Sequence, residues 1–437
     1  MSGTIHRLAL VPRDGFFVKD GRGWQTSART SVVDWPWPTT IRGALTTVSG
    51  KIAERQKGSR FGPKEWKDHQ SKIAVGALVA LRRTLGTEKW SRMWPVPADA
   101  LWLEEKDKAL RLDPTKPQAG TLGRAAPATA PAGYAEAREA LWVPQIDSKA
   151  KPLSRPRWFD DATLAAWLSG DSVKAQPEEQ QQPRMQKRLQ AHVGIRAETL
   201  TGDDGILYAH EVVETLERLF RDGKGDGGKV AEWAIGVEVE WPVPSRPDIA
   251  RLGSDGRIAW IEEADNDLFR MPAGIQTAFP SKGLRLVVVT PACFTGGWLP
   301  DGFAPVKVGK GDKDEWVFLG RLAPSHGASV DVCKTDLILR AAFVPRPMHI
   351  SGWDMVAKAG ASDGATKTDG KSEEKLGAPR PTSRLVAPGA VYFFERADGG
   401  GFTAGDAKAL WLAALGSRTK EGFGRIVPGI WNAKDTE

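Results

Sequence analysis

"TTIRGALTTVSGKIAERQ", residues 39–56, organises the first half of the chain. Ile41, Ala44, Leu45, Val48 and Ile52 recur at the spacing that lines one face of a helix. Pro38 stands just ahead, and Thr39 or Thr40 is expected to cap the helix, because a hydroxyl accepts from the unpaired N–H groups of the first turn. Upstream, "TIHRLALVPRDGFFV" (residues 4–18) places Leu8 and Leu10 in alternation and reads as a strand. A strand followed by a helix with one apolar face implies a sheet for that face to cover.

The rest of the chain extends this pattern. "HVGIRAETL" (192–200), "ILYAHEVVETL" (206–216) and "WAIGVEVEW" (233–241) read as strands, and "DIARLGSDGRIAWIEEA" (248–264) as a hairpin turning at residues 253–256. "LRLVVVTP" (284–291) is nearly all apolar, which suits a strand buried on both faces. "DVCKTDLILRAAFVP" (331–345) and "APGAVYFFERAD" (387–398) follow as strands. In "TAGDAKALWLAALG" (403–416), Ala407, Leu410, Trp411, Ala414 and Leu415 form a helical face, Thr403 and Asp406 have capping-box spacing, and Gly416 is the expected stop. "GRIVPGIW" (424–431) closes the chain as a strand.

The expected fold is therefore α+β, two ferredoxin-like βαββαβ domains over residues 1–265 and 266–437. Insertions are expected at about 113–188, 221–229 and 358–379. Within them, residues 113–137, 171–188, 221–229 and 358–379 are rich in Gly, Pro, Ala or charge, and too poor in large apolar side chains to order themselves.

The formal charge of +7 and a pI of about 9.2 favour an anionic partner without identifying it as nucleic acid. Cys293 and Cys333 stand far apart, with neither CxxC nor a Cys/His cluster, so neither zinc nor a disulfide framework is expected. The N-terminal apolar run is too short for a signal peptide, and no stretch approaches the roughly 20 apolar residues of a membrane span. A soluble cytoplasmic protein without a cofactor is the expectation.

Catalytic signatures are thin. GxxxxGK[ST], GxSxG and HExxH are all absent. Glu262 and Glu263 are adjacent in a strand and point to opposite faces, so they make no carboxylate pair. His192, His210 and His349 lie in patterned segments, either as structural residues or as a general base. The 18 tryptophans, many beside prolines, suit a core or an interface better than base-stacking platforms.

Two readings are open for "EGFGRIVPG", residues 421–429. Gly422, Gly424 and Gly429 make either a tight connection or a loop whose bare amides lie against phosphate. In the second reading Lys420 and Arg425 neutralise phosphates and Phe423 stacks on a base. Arg42 and Gly43, at the start of the first helix, and Arg380 and Arg384, on a proline-stiffened segment, are further phosphate candidates.

The order of segments is more telling than any single one. "LVPRDGFFVKDGRGW", "WPWPTTIRGAL", "HVGIRAETLTGDDGILYAHEVVE", "RLGSDGRIAWIEEA", "ISGWDM", "PRPTSRLVAPGAVYFFE" and "EGFGRIVPGIW" run in a series that resembles the RAMP proteins of CRISPR effector complexes. It is most similar to the subunit-three group of the type III-B Cmr complex, whose members cap the crRNA 5′ end. That resemblance implies two ferredoxin-like RAMP folds, a glycine-rich loop at residues 422–429, and RNA-binding scaffold work without catalysis. It also implies as partners the crRNA 5′ handle, the large polymerase/cyclase-like subunit and the backbone RAMP subunits. The long inserts depart from the compact family pattern. The enzymatic alternative is a metal-independent crRNA-processing endoribonuclease, since related RAMP proteins do that chemistry.

Overall fold

The computed structural model describes residues 4–19, 29–30, 32–104, 108–117, 126–144, 146, 148–173, 183–221, 224–242, 247–309, 314–324, 334–358 and 376–432. The chain enters as β1 (Ile5–Pro12), α1 (Pro38–Lys57), α2 (Pro63–Ser71), β2 (Ala74–Thr84) and β3 (Ser91–Pro95). An excursion carries α3 (Tyr134–Glu139), β4 (Trp158–Asp160) and α4 (Asp161–Leu168). A long hairpin, β5 (Lys187–Ile195) and β6 (Gly202–Val213), precedes β7 (Leu216–Arg221), β8 (Lys224–Glu240), β9 (Ile249–Arg251) and β10 (Ile258–Glu263).

These strands, the β5–β6 hairpin aside, form one sheet in the order β9-β10-β1-β8-β2-β3-β4, with β7 also pairing to β8. Both β1 and β2 pair antiparallel to β8, in the registers Leu8↔Val237 and Leu78↔Val237. Alternation sorts their side chains. Leu8, Leu10, Leu78 and Val237 pack under Ile41 and Leu45 of α1, while Ala9, Val11, Val79 and Leu81 enter a second core on the opposite face. Helix α1 is capped two residues before Thr39 and three before Thr40, the two expected caps. Trp37 is the N-cap and Pro38 occupies N1, where a fixed φ and a missing N–H cost the helix nothing.

The second half builds its own sheet from β11 (Gly283–Val288), β12 (Phe303–Val308), β13 (Glu315–Gly320), β14 (Leu337–Phe343) and β17 (Val391–Arg396). A separate hairpin, β15 (Met348–Lys358) and β16 (Leu376–Leu385), comes before β17, and α5 (Ala404–Leu410) leads to the last strand, β18 (Ile426–Trp431). The order is β12-β13-β14-β17-β11-β18. As expected, β11 is buried along its whole length. The Thr403/Asp406 capping box is present, but the helix ends at Leu410 rather than at Gly416. Leu412 N–H donates to the Ile426 carbonyl and Ile426 N–H to Ala413, so pairing with β18 replaces the next helical turn.

The excursion corrects an expectation. Residues 126–137, read as unable to order themselves, are folded against the second sheet. Tyr134 meets Phe318 edge-on at 5.2 Å, and a Cβ on Gly133 would strike the Trp316 ring at 2.2 Å. Beyond α3, Trp142 N–H donates to the Arg340 carbonyl at 2.6 Å. A local composition count misses this because the apolar surface is supplied by residues about two hundred positions away. Likewise Lys187 and Arg188 belong to β5, residues 224–229 to β8 and residues 376–379 to β16, while residues 359–375 lie outside the described ones.

Inside this contact, Arg285 of β11 is 1% exposed and pairs with Asp99, 0% exposed, at 3.1 Å. Its Nη1 donates to the Trp167 carbonyl, and Trp167 Nε1 donates to Asp99. Arg285→Ala strands the Asp99 carboxylate and is expected to remove about 3–5 kcal/mol of stability in urea unfolding. Adding Asp99→Asn should recover part of that loss, and strictly additive losses would show that the two do not act as a pair.

Candidate nucleic-acid interface

The glycine-rich loop faces protein. Arg425 is 4% exposed, and its Nη2 donates to the Val75 carbonyl of β2 at 3.1 Å and to Thr419 at 3.2 Å. Its Nη1 donates to Leu412, and its main-chain N–H to the Thr290 hydroxyl, which itself donates to the Gly422 carbonyl. Burial pulls the Arg425 guanidinium down to about 10, with Glu238 opposing. The return contact is Val75 N–H to the Lys420 carbonyl at 2.9 Å.

Each glycine admits a protein neighbour. Gly422 has φ +95 and a Cβ there would lie 2.7 Å from Leu78; Gly424 has φ +73 and a Cβ there would lie 2.0 Å from the Leu415 carbonyl. Gly424 N–H is already taken by the Pro291 carbonyl. Gly429 sits within β18, where a Cβ would meet Leu168 at 2.8 Å. Phe423 is 0% exposed among Trp37, Val213, Ile350 and Leu385, with Arg418 4.6 Å above its ring. Base stacking by Phe423 and phosphate pairing by Arg425 or the Gly422 and Gly424 backbone therefore do not describe this structure. The glycines do permit close approach to something bulky, but the bulk is the other half of the chain.

The remaining candidates lie on the outside. Lys420, Arg380 and Arg384 are exposed, the two arginines on β16 opposite Gly352 and His349 of β15. Arg42 is half-buried and donates to the Ile73 carbonyl at 3.1 Å and to Gln70 at 2.7 Å, tying α1 to the end of α2. Burial is the main influence lowering its pKa; Glu421 raises it, and Arg380 and Arg418 lower it further. The structure thus brings Arg42, Arg380 and Arg418 into one electrostatic neighbourhood from three distant parts of the sequence. Gly43 borders a neighbouring open hollow of about 480 Å³ with Lys19, Thr40 and Arg251, and nothing lies within 4 Å of where its Cβ would be.

Arg418 is a residue that the sequence pattern did not single out. It has φ +61, unusual for a side-chain-bearing residue, and pairs with Glu421 at 2.9 Å. Its proximity to Lys420 in "SRTKEG" is the one local signal that points to it. The histidines are dispersed into structure: His210 is 3% exposed and stacks between Phe17 at 4.1 Å and His192 at 4.7 Å. Trp94, Trp167, Trp233, Trp241 and Trp431 are core residues, as expected of most tryptophans here. Among the described residues no acidic, His or Cys cluster could hold a metal, and no helix is long and apolar enough to cross a membrane.

A family model described as CRISPR-associated protein (Cas_Cmr3) matches residues 8–431. No curated protein matches the chain. Among solved structures, a chain of "Cryo-EM structure of the Type III-B Cmr-beta bound to cognate target RNA and AMPPnP, state 1" is similar at 10% identity and TM-score 0.36, covering 89% of this chain and 86% of that one. A chain of "Cryo-EM structure of the Type III-B Cmr-beta bound to cognate target RNA" aligns at 9% identity and TM-score 0.35, over 90% and 86%. Overlaps this loose establish nothing about function.

Phe423→Ala is expected to cost about 3–5 kcal/mol in urea unfolding, as for a truncated buried aromatic. An unchanged unfolding midpoint would show that the ring does not fill this core.

Proposed function

The chain belongs to the CRISPR-associated Cas_Cmr3 family, and we propose that it is a non-catalytic RNA-binding scaffold subunit of a type III-B Cmr complex. The family match over residues 8–431 carries this reading. In it, the chain holds the crRNA 5′ handle and docks the large polymerase/cyclase-like subunit and the backbone RAMP subunits.

Strand order supports the two ferredoxin-like units that a RAMP protein requires. In the first half β10-β1-β8-β2 and in the second β18-β11-β17-β14 run, by order within each half, fourth, first, third, second. Each half has one of the two crossover helices, α1 in the first and α5 in the second. Electrostatics supports the RNA. Exposed Lys420 and Arg380, with half-buried Arg42 and Arg418 close by, offer guanidinium and ammonium donors to a phosphate backbone, and Arg384 lies further along the same strand as Arg380. The glycine-rich loop serves this surface indirectly, by fixing Arg418 and Lys420 beside β2 through bonds of its own backbone and of Arg425. Scaffold work fits a site whose buried arginines, Arg285 and Arg425, are structural; of the candidate bases, His210 is buried, and His192 and His349 are half-buried.

The double variant Arg380→Ala/Lys420→Ala removes two exposed cations whose side chains make no hydrogen bond or ion pair among the described residues. Its affinity for handle RNA should fall, and the slope of log K against log salt should become shallower by about 1.4, two single-strand phosphate contacts. Fluorescence anisotropy across a salt series reads both. An unchanged slope would remove these residues from the RNA path, and site-specific cutting of repeat RNA by the purified chain would replace the scaffold with the endoribonuclease.

A further inference from the structure

A groove of about 660 Å³ lies beside the Arg384 end of β16, between that strand, the 296–298 turn and α3 of the excursion. Three arginines line it, Arg138, Arg346 and Arg384, and no carboxylate does among the described residues. Neither Arg346 nor Arg384 has an ion-pair partner among the described residues. Two aromatic side chains complete the wall and are held in place. Trp298 Nε1 donates to the Tyr134 hydroxyl at 3.0 Å, and Tyr392 donates to the Trp298 carbonyl at 2.6 Å. Both rings also meet Phe318 edge-on, Tyr134 at 5.2 Å and Trp298 at 5.6 Å, which leaves them half-buried and oriented. Gly297, with φ +78 and nothing within 4 Å of a Cβ, leaves the floor open to close approach.

We infer that this groove binds a nucleotide unit of single-stranded RNA, with Arg138, Arg346 and Arg384 on phosphate and Tyr134 and Trp298 against the base. Planar guanidinium groups pair bidentately with phosphate, and a base offers a flat face that fixed aromatic rings accept whatever its identity. An acidic peptide would satisfy the arginines but supplies no ring at a fixed distance from its charge. The inference rests on the proposed RNA-binding role and extends it. Tyr134 and Arg138 come from the 113–188 insertion, so a segment that departs from the compact family pattern would form one wall of an RNA site.

The full chain is titrated with a 5′-fluorescein single-stranded RNA of mixed sequence, and a 5-bromouridine version is cross-linked by light. Arg346→Gln, distant in sequence from the Lys420 patch, should weaken binding roughly tenfold through one lost charge-assisted contact, without a change in melting temperature. Cross-links should fall on Tyr134 or Trp298 in the wild-type chain, a readout that does not depend on the variant folding. Competition by AMP for that cross-link distinguishes a free nucleotide from a unit within a strand. Unchanged affinity with no cross-link on either ring overturns the groove, as does loss of the cross-link to polyglutamate at matched charge. If Arg380→Ala/Lys420→Ala weakens RNA binding while the groove variant does not, the RNA reading survives and the groove falls. If the wild-type chain binds no RNA, both fall.

Discussion

Arg425 donates to the carbonyl of Val75, 350 residues earlier in the chain, from a position almost without water. A buried guanidinium is tolerable only where most of its donors are met, and here Leu412 takes Nη1 while Val75 and Thr419 take Nη2, leaving Nε without a partner among the described residues. The bond joins the turn before the last strand to the central strands of the first sheet. It therefore fixes how the two halves face each other, and with them every surface formed by both. Arg285 makes a second such tether through Asp99 and the backbone of Trp167. Directional bonds of this kind specify an orientation, which apolar contact alone leaves free to slide.

Around these tethers the apolar core runs without interruption from one sheet to the other. Ala9, Val79, Leu81, Trp94 and Trp167 share it with Leu284, Val287, Phe393, Ile426 and Trp431. A sheet with α1 on one face and the second half on the other has no face left for water. That is why β1 and β2 are apolar at successive positions rather than at alternate ones. The excursion between β3 and β5 lays α3 against the outer strands of the second sheet and adds Leu164, Trp167 and Leu168 to the shared core, while its Trp158 packs with Trp233 of the first sheet.

Burial divides the arginines into two populations with different work. Arg285 and Arg425 are enclosed and hold structure, and desolvation lowers the Arg425 pKa. Arg380 and Arg384, like Lys420, lie exposed to solvent, where a polyanion can reach them. Arg42 stands between the two groups, donating to the end of α2 while it feels the field of Arg380 and Arg418. An excess of positive charge in the composition thus says little about a surface until the enclosed cations are set apart from it.

Periodicity alone determined much of the fold: α1 with Ile41 and Leu45 inward, the fully buried β11, the β9–β10 hairpin and the Thr403/Asp406 cap all follow from local spacing. These are short-range patterns, and the physics that produces them acts within a few residues. Which glycines, arginines and aromatics face a ligand was decided by tertiary contact instead. Gly424 and Phe423 have the same local signature beside RNA as beside Leu415 and Trp37, since a positive φ or a large ring does not record what lies against it. The order of residues 126–137 and the meeting of Arg42, Arg380 and Arg418 depend in the same way on partners hundreds of positions distant, which no window of the sequence contains.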